Sequence, residues 1–280
     1  MLRLIVLSLL LLSSLAKACE VDSQCIEQSN WQIGIALGLG ARSNPLVDGD
    51  TMPMVVLPDI AWYGEAAYFD NGEIGYQFLN DRQYAAEVFA SVDTERAFFS
   101  FWQPGNIFFS SDMLTSSLPS FDIEQQTPDV SINDVASRDW TINGGIRGHW
   151  YVGNSEWKVS WQQDIMNVHS GNKFVFGYSH FWQHNDWTYS LAIEGHWKSR
   201  KLLDYYYGLS FKDGVPLDLL YQAQSGWQPK ISVGINRPIN KRWQFVLRAS
   251  YQRLNSGMYN SPLVDKKSVQ SIFIGAAYRF

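Results

Sequence analysis

Strict two-residue alternation, apolar and Trp-bounded on one face and charged on the other, limits this chain more than any other feature. Residues 186–198 place Trp187, Tyr189, Leu191, Ile193, Gly195 and Trp197 on one side of a strand. Asp186, Thr188, Ser190, Glu194, His196 and Lys198 take the other side. Trp140, Ile142, Gly144, Ile146, Gly148 and Trp150 repeat the pattern opposite Asp139, Thr141, Asn143, Arg147 and His149. Trp157, Val159, Trp161 and Ile165 alternate with Lys158, Ser160, Gln162 and Asp164, and Trp243, Phe245, Leu247, Ala249 and Tyr251 with Arg242, Gln244, Arg248 and Ser250. A dry core does not accept several charges per strand, so the charged faces meet water and the apolar faces meet something else. Trp140 and Trp150 are ten positions apart, as are Trp187 and Trp197. At ~3.3 Å per residue and a tilt of roughly 40°, that spacing covers about 25 Å, the height of an outer-membrane apolar band. The pattern predicts a transmembrane antiparallel β-barrel. A lipocalin-like barrel would turn its apolar faces inward and leave the Trp spacing to chance.

Both ends of the sequence agree with that compartment. Ile272, Ile274, Ala276, Tyr278 and Phe280 share one face of the last alternating segment. A strand closing on an aromatic resembles the terminal strand read by the barrel-assembly machinery. At the other end, Arg3 precedes an apolar run at 4–12 (LIVLSLLLL), and Ala16-Lys17-Ala18 gives a small-x-small cleavage pattern. The expected cut lies between Ala18 and Cys19; Ala16 and Lys17 fit a lipobox poorly, so simple cleavage is expected ahead of lipidation. The chain then divides into a signal peptide (1–18), a periplasmic leader (19–30) and a single barrel domain (31–280), with no linker between. Losing Arg3 and Lys17 leaves 20 basic against 27 acidic residues, a charge of −7. Nucleic acid is a poor partner for such a surface. Cys19 and Cys25 either pair in an oxidising compartment or stay free.

Strands are expected near 31–40, 54–63, 72–80, 83–91, 96–103, 138–151, 155–167, 172–183, 186–198, 227–237, 241–254 and 268–280. Twelve is an even number, as single-chain bacterial barrels require, with ten or fourteen as alternatives. With both ends periplasmic, the outer connections are 41–53, 81–82, 104–137, 168–171, 199–226 and 255–267. The periplasmic ones are 64–71, 92–95, 152–154, 184–185 and 238–240. Residues 203–211 read as part of a structured outer loop. Phe108, Phe109, Met113, Leu114, Leu118 and Phe121 predict that 104–137 folds over or into the mouth. Asp48, Asp50, Asp112, Asp122, Glu124, Asp129 and Asp134 make the outer face acidic.

Short motifs then appear in a consistent order: WQIGIALGLG at 31–40, Asp48-Gly49-Asp50, MVVLP at 54–58, Asp164 with His169-Ser170-Gly171, Tyr206-Tyr207-Gly208, Ser261-Pro262-Leu263-Val264, and Tyr278-Arg279-Phe280. In this order they resemble the MltA-interacting protein (MipA/OmpV) family of Gram-negative outer-membrane proteins, over essentially all of 31–280. The resemblance implies an outer-membrane barrel. In the family's namesake it also implies a scaffold between a lytic transglycosylase and a penicillin-binding synthase of peptidoglycan.

The residues themselves predict little chemistry. Asp164, His169 and Ser170 are the best Ser/His/acid candidates, but adjacent residues point apart and no GxSxG elbow accompanies them. The expectation is a structural turn, and no catalytic residue is assigned. His149, His169, His180, His184 and His196 lack ligand spacing, so no metal or cofactor is expected. Arg147, His149, Lys158, Asp164, Glu194, His196 and Arg248 are expected to line the lumen, with Lys173, Lys198, Lys230 and Arg242. The reading is a non-enzymatic envelope scaffold in contact with outer-membrane lipid and lipopolysaccharide. A passive channel for small solutes is the alternative, and a lipid-modifying barrel enzyme a more distant one.

Overall fold

A computed structural model describes residues 29–99 and 130–280. Twelve strands close into one antiparallel barrel, each paired with its sequence neighbour and β1 with β12. They are β1 (Trp31–Arg42), β2 (Met52–Tyr63), β3 (Ala67–Asp70), β4 (Glu73–Asn80), β5 (Tyr84–Val92), β6 (Ile142–Val152), β7 (Ser155–Asp164), β8 (Asn172–His184), β9 (Trp187–Lys198), β10 (Gly226–Pro238), β11 (Trp243–Arg253) and β12 (Ser268–Arg279). At the end where β1 begins and β12 finishes, the connections are tight: 64–66, 81–83, 153–154, 185–186 and 239–242. The opposite end carries 43–51, 71–72, 93–141, 165–171, 199–225 and 254–267. These are the short-turn and long-loop ends.

Burial is inside out, as a bilayer demands. Ile33, Leu39, Ile74, Ile146, Ile193 and Ile274 are exposed on the outer face, while Glu87, Ser160, Glu194, Gln228 and Ser271 are buried within. An aromatic girdle circles the short-turn end: Trp31 beside Trp62, Tyr84 on Trp150, Trp157 against Tyr178, Trp182 on Tyr189, Trp187 against Phe245 and Trp243 against Tyr278.

The strand total agrees with expectation, but two strands change place. Within the expected strand 96–103, the described residues 96–99 are not a strand: Glu95–Phe98 is a 3-10 turn in which Ala97 and Phe98 are buried, and the rest of that segment lies outside the described residues. The expected turn 64–71 instead contains β3, joined to β4 by Asn71-Gly72 with both φ values positive (47° and 91°), the geometry of a two-residue hairpin turn. Connection 81–83 therefore lies at the short-turn end and 93–95 at the long-loop end, the reverse of expectation. Trp140 stands outside β6, and residues 200–207 of the expected structured loop are a helix, α1 (Arg200–Tyr207). The signal peptide, the Ala18–Cys19 cut, Cys25, and the apolar and acidic positions between 100 and 129 lie outside the described residues.

The β1–β12 seam explains the glycine-rich first strand. Phe273 points inward at 2 % exposure, packed over the backbone of both strands. A side chain at Gly38 would meet Phe273 Cζ at 2.8 Å, and one at Gly275 at 2.9 Å. Met54 and Val246 complete this small lumenal apolar cluster.

Candidate functional site

The largest apolar core is not in the barrel wall but across its mouth. Leu46, Phe98 and Val130 come from the long connections, and Leu202, Leu203, Tyr206 and Tyr207 from α1. Met258 of a second short helix, α2 (Ser256–Tyr259), joins Leu263 and Val264 there. Together they form a roof. Val130, Ile132 and Val135 bring the described part of 104–137 into it, as expected for a loop folded over the mouth.

The motifs read from the sequence converge on this roof. Asp164 accepts hydrogen bonds from the backbone N–H groups of Met166, His169 and Ser170 (2.9, 2.7 and 2.9 Å) and from Thr141 Oγ1. The carboxylate thus fixes the turn, as expected of a structural role. His169 is buried, and its Nδ1 accepts from the Gly171 N–H at 2.9 Å. Gly171 is needed because α1 starts directly on it: a side chain there would lie 2.6 Å from the Leu202 nitrogen. Ser170 points elsewhere, its Oγ donating to Asn167 Oδ1. Asp164, His169 and Ser170 are close in space without the Ser-to-His hydrogen bond that nucleophile activation requires.

Tyr206 packs on His169 (5.7 Å) and Phe99 (6.0 Å), and the Tyr207 hydroxyl donates to Glu95 at 2.7 Å. Burial, reinforced by Glu95, pushes that hydroxyl well above its ordinary pKa. Ser261 Oγ donates to the Tyr207 carbonyl at 2.6 Å, and Val47 N–H to the Leu263 carbonyl at 2.9 Å. Arg138 ties α1 down, donating to the Gly208 carbonyl (3.1 Å) and pairing with buried Asp213 at 2.7 Å.

Below the roof the lumen is wet chemistry held in place. At the mouth, Lys173 meets Asp93 at 2.9 Å and Lys198 meets Glu95 at 2.6 Å. Burial is the largest single influence and would raise both carboxyls, but Lys173 and Asn143 together at Asp93, and Lys198 with Lys173 at Glu95, hold each below its ordinary value. Midway, Glu194 gathers Lys158 (3.0 Å), His196 (3.1 Å) and Lys230 (3.3 Å). Toward the short-turn end, Arg147 bridges Glu73 (2.8 Å) and Glu87 (2.9 Å), and His149 contacts Glu156.

Arg147, His149, Lys158, Glu194 and His196 thus stand where alternation places them, and Asp164 closes the top of β7. Arg248 turns inward onto the Ile235 carbonyl (3.3 Å). Arg242 does not line the lumen: it sits in turn 239–242 and reaches Tyr278 Oη at 3.1 Å. Sequence reasoning omitted the acids that complete the network. Glu73 and Glu87 sit on strands it had found and alternation would have given them; Asp93 and Glu95 lay hidden in a connection assigned to the wrong end.

The chain is 23% identical over 224 residues to outer membrane protein OmpV of Vibrio cholerae, covering 79% of this chain and 85% of that one. It is 22% identical over 222 residues to outer membrane protein Omp26La of Vibrio anguillarum, with the same coverage. It is 21% identical over 256 residues to the MltA-interacting protein of Escherichia coli, covering 91% and 93%. Among solved structures, the translocator domain of autotransporter NalP from Neisseria meningitidis aligns with TM-score 0.42 at 9% identity, over 91% of this chain and 90% of that one. Residues 33–280 match the family described as MltA-interacting protein MipA. The chain belongs to that family and is an outer-membrane β-barrel.

Proposed function

We propose that the chain is a closed, non-enzymatic envelope scaffold that engages a lytic transglycosylase at its short-turn end, with a penicillin-binding synthase as the second peptidoglycan enzyme. The observation that carries the reading is the interior. Arg147, Lys158, Lys173, Lys198 and Lys230 each face a carboxylate, and an apolar roof covers the mouth. Such a lumen stiffens a barrel and offers a permeant ion few free charges. The partner is inferred from the name of the Escherichia coli relative, an MltA-interacting protein. Short connections leave strand ends and turns such as 239–242, with its exposed Lys241, as the contact surface on the periplasmic side.

Crosslinking from Lys241 and from residues 19–30 in intact cells tests this directly. Reproducible capture of a lytic transglycosylase supports the scaffold; a folded barrel that captures none refutes it. Planar-bilayer recording decides against the channel reading if the bilayer stays silent. Steps whose ion preference inverts in Arg147→Glu would establish the channel instead.

A further inference from the structure

An open cleft of about 370 Å³ lies outside the lumen, where the upper ends of β10 and β11 meet α2. Its lining includes Trp227, Pro229, Arg253, Asn255, Ser256 and Tyr259, and no carboxylate. The cleft sits where the apolar wall stops. Pro229, Ile231 and Val233 continue down the outer face of β10 and Tyr251 down that of β11, with Ile231, Val233 and Tyr251 all exposed. Arg253 comes two residues above Tyr251 on that same outward face, is exposed, and makes no ion pair among the described residues. Lys267, also exposed, holds its ammonium 5.7 Å from the centre of the Tyr259 ring. The neighbouring carboxylate, Asp265, is engaged at 4.0 Å by Lys266. Trp227 is 53% exposed but fixed in place, edge-on to Phe174 at 5.9 Å and seated over Gly195, where an added Cβ would come 3.2 Å from its ring.

Two exposed cations above an apolar wall, beside a largely exposed Trp and a half-buried Tyr, match a lipid whose phosphate joins a sugar. In an outer-membrane barrel the long-loop end faces outward, so this height is the headgroup level of the outer leaflet. We propose that the cleft binds lipopolysaccharide through its lipid A phosphate, with Arg253 and Lys267 on the phosphate and Trp227 and Tyr259 against the glucosamine.

Native mass spectrometry of the purified full-length barrel tests the site, with bisphosphoryl lipid A as probe. Folding is checked by heat-modifiable mobility. The wild type retains lipid A, and the double variant R253E/K267E loses about 100-fold, near tenfold per charge-assisted contact. Arg237→Glu provides the control, an exposed cation 5.0 Å from the Trp187 ring at the opposite end; it leaves retention unchanged. Equal retention by R253E/K267E, or an equal loss in Arg237→Glu, overturns the site. Phosphatidylglycerol or dephosphorylated lipid A held as tightly as the bisphosphoryl form overturns the ligand.

Discussion

Replacing Arg147 with Met puts the ion-paired interior to a quantitative test. Its guanidinium donates to both Glu73 oxygens (2.8 and 2.8 Å) and to Glu87 Oε1 (2.9 Å), and its plane lies 3.9 Å from the Phe89 ring centre. The three side chains are only 11%, 12% and 3% exposed. At an effective dielectric of ~20, each contact near 4 Å has a gross value of about 4 kcal/mol, most of it offset by desolvation of the ions. Removing the cation alone keeps the desolvation and adds repulsion between two buried carboxylates. Arg147→Met should therefore cost about 3–5 kcal/mol. The methionine stem keeps much of the contact with Phe89, so the loss is electrostatic in origin. A triple variant with Glu73→Gln, Glu87→Gln and Arg147→Met removes all three charges at nearly constant volume. It should recover to within about 1–2 kcal/mol of the parent, because neutral replacements of a buried ionic set are often nearly isoenergetic. Reversible urea unfolding in lipid vesicles, followed by Trp fluorescence and heat-modifiable mobility, measures both. A cost below about 1 kcal/mol for the single variant, the range of a solvated pair, would refute the reasoning. So would a triple variant no more stable than the single one.

Four further outcomes follow from the same structure. Asp164→Ala should loosen residues 165–171 at a cost of about 3 kcal/mol, since three backbone donors lose a charged acceptor, whereas Ser170→Ala should stay within about 0.5 kcal/mol; urea midpoints that move equally would contradict the structural role. Phe273→Ala should cost about 3–5 kcal/mol by opening a cavity at the β1–β12 seam. Gly275→Val should cut the yield of heat-modifiable barrel, because its side chain overlaps the Leu37 carbonyl. The roof should loosen in acid. Burial opposes ionisation of Asp93, Glu95 and Asp213, but Lys173, Lys198 and, at Asp213, the Ser210 N–H with Arg138 lower all three below their unfolded values. Folded values below unfolded ones give stability that is complete above the unfolded pKa, near 4, and is lost as pH falls below it. Hydrogen exchange of the 200–213 amides, corrected for intrinsic rates, should therefore accelerate below about pH 4 and stay flat between pH 5 and 8.

What the sequence displays and what it hides follows from which forces act locally. In β6 to β12 each strand faces lipid on one side and water on the other, so every second residue reports its environment. Those strands, their lumenal charges and the sorting of long and short connections were legible for that reason. The roof was not. α1 begins on Ser199 and sends Leu202, Leu203, Tyr206 and Tyr207 into a core built from residues 46 to 269, a set of contacts with no local period. Phe98 belongs to the same core and Phe99 packs against it, so the apolar run 97–99 that read as part of a strand is buried from a 3-10 turn instead. The motif residues Asp164, His169, Gly171, Tyr207 and Ser261 were visible as letters, but their convergence on one roof is a tertiary fact.

The misplaced pair of strands has a physical source that also explains two prolines. β3 is only four residues long, so the Asn71-Gly72 hairpin turns back low on the barrel. Its Asn71 is the last partner of β2, exchanging bonds with Ile60: the Asn71 N–H donates to the Ile60 carbonyl, and the Ile60 N–H donates to Asn71 Oδ1. Ile60 thus points away from β1, and Pro58, two residues on, has the same orientation. The register shift between Leu37 and Gly40 then reverses the parity. Ser43 N–H donates to Gln270 of β12, so Ala41 faces β12 and its partner Pro53 again faces away from β1. Both missing N–H groups therefore fall on the one side of β2 that β3 does not reach. In the interior of a sheet each proline would delete a ladder hydrogen bond; on this edge neither does, and both discourage another strand from adding there. A Pro in an apolar run reads locally as a reason to doubt the strand. Here it marks the edge left by a shortened neighbour, which only the topology reveals.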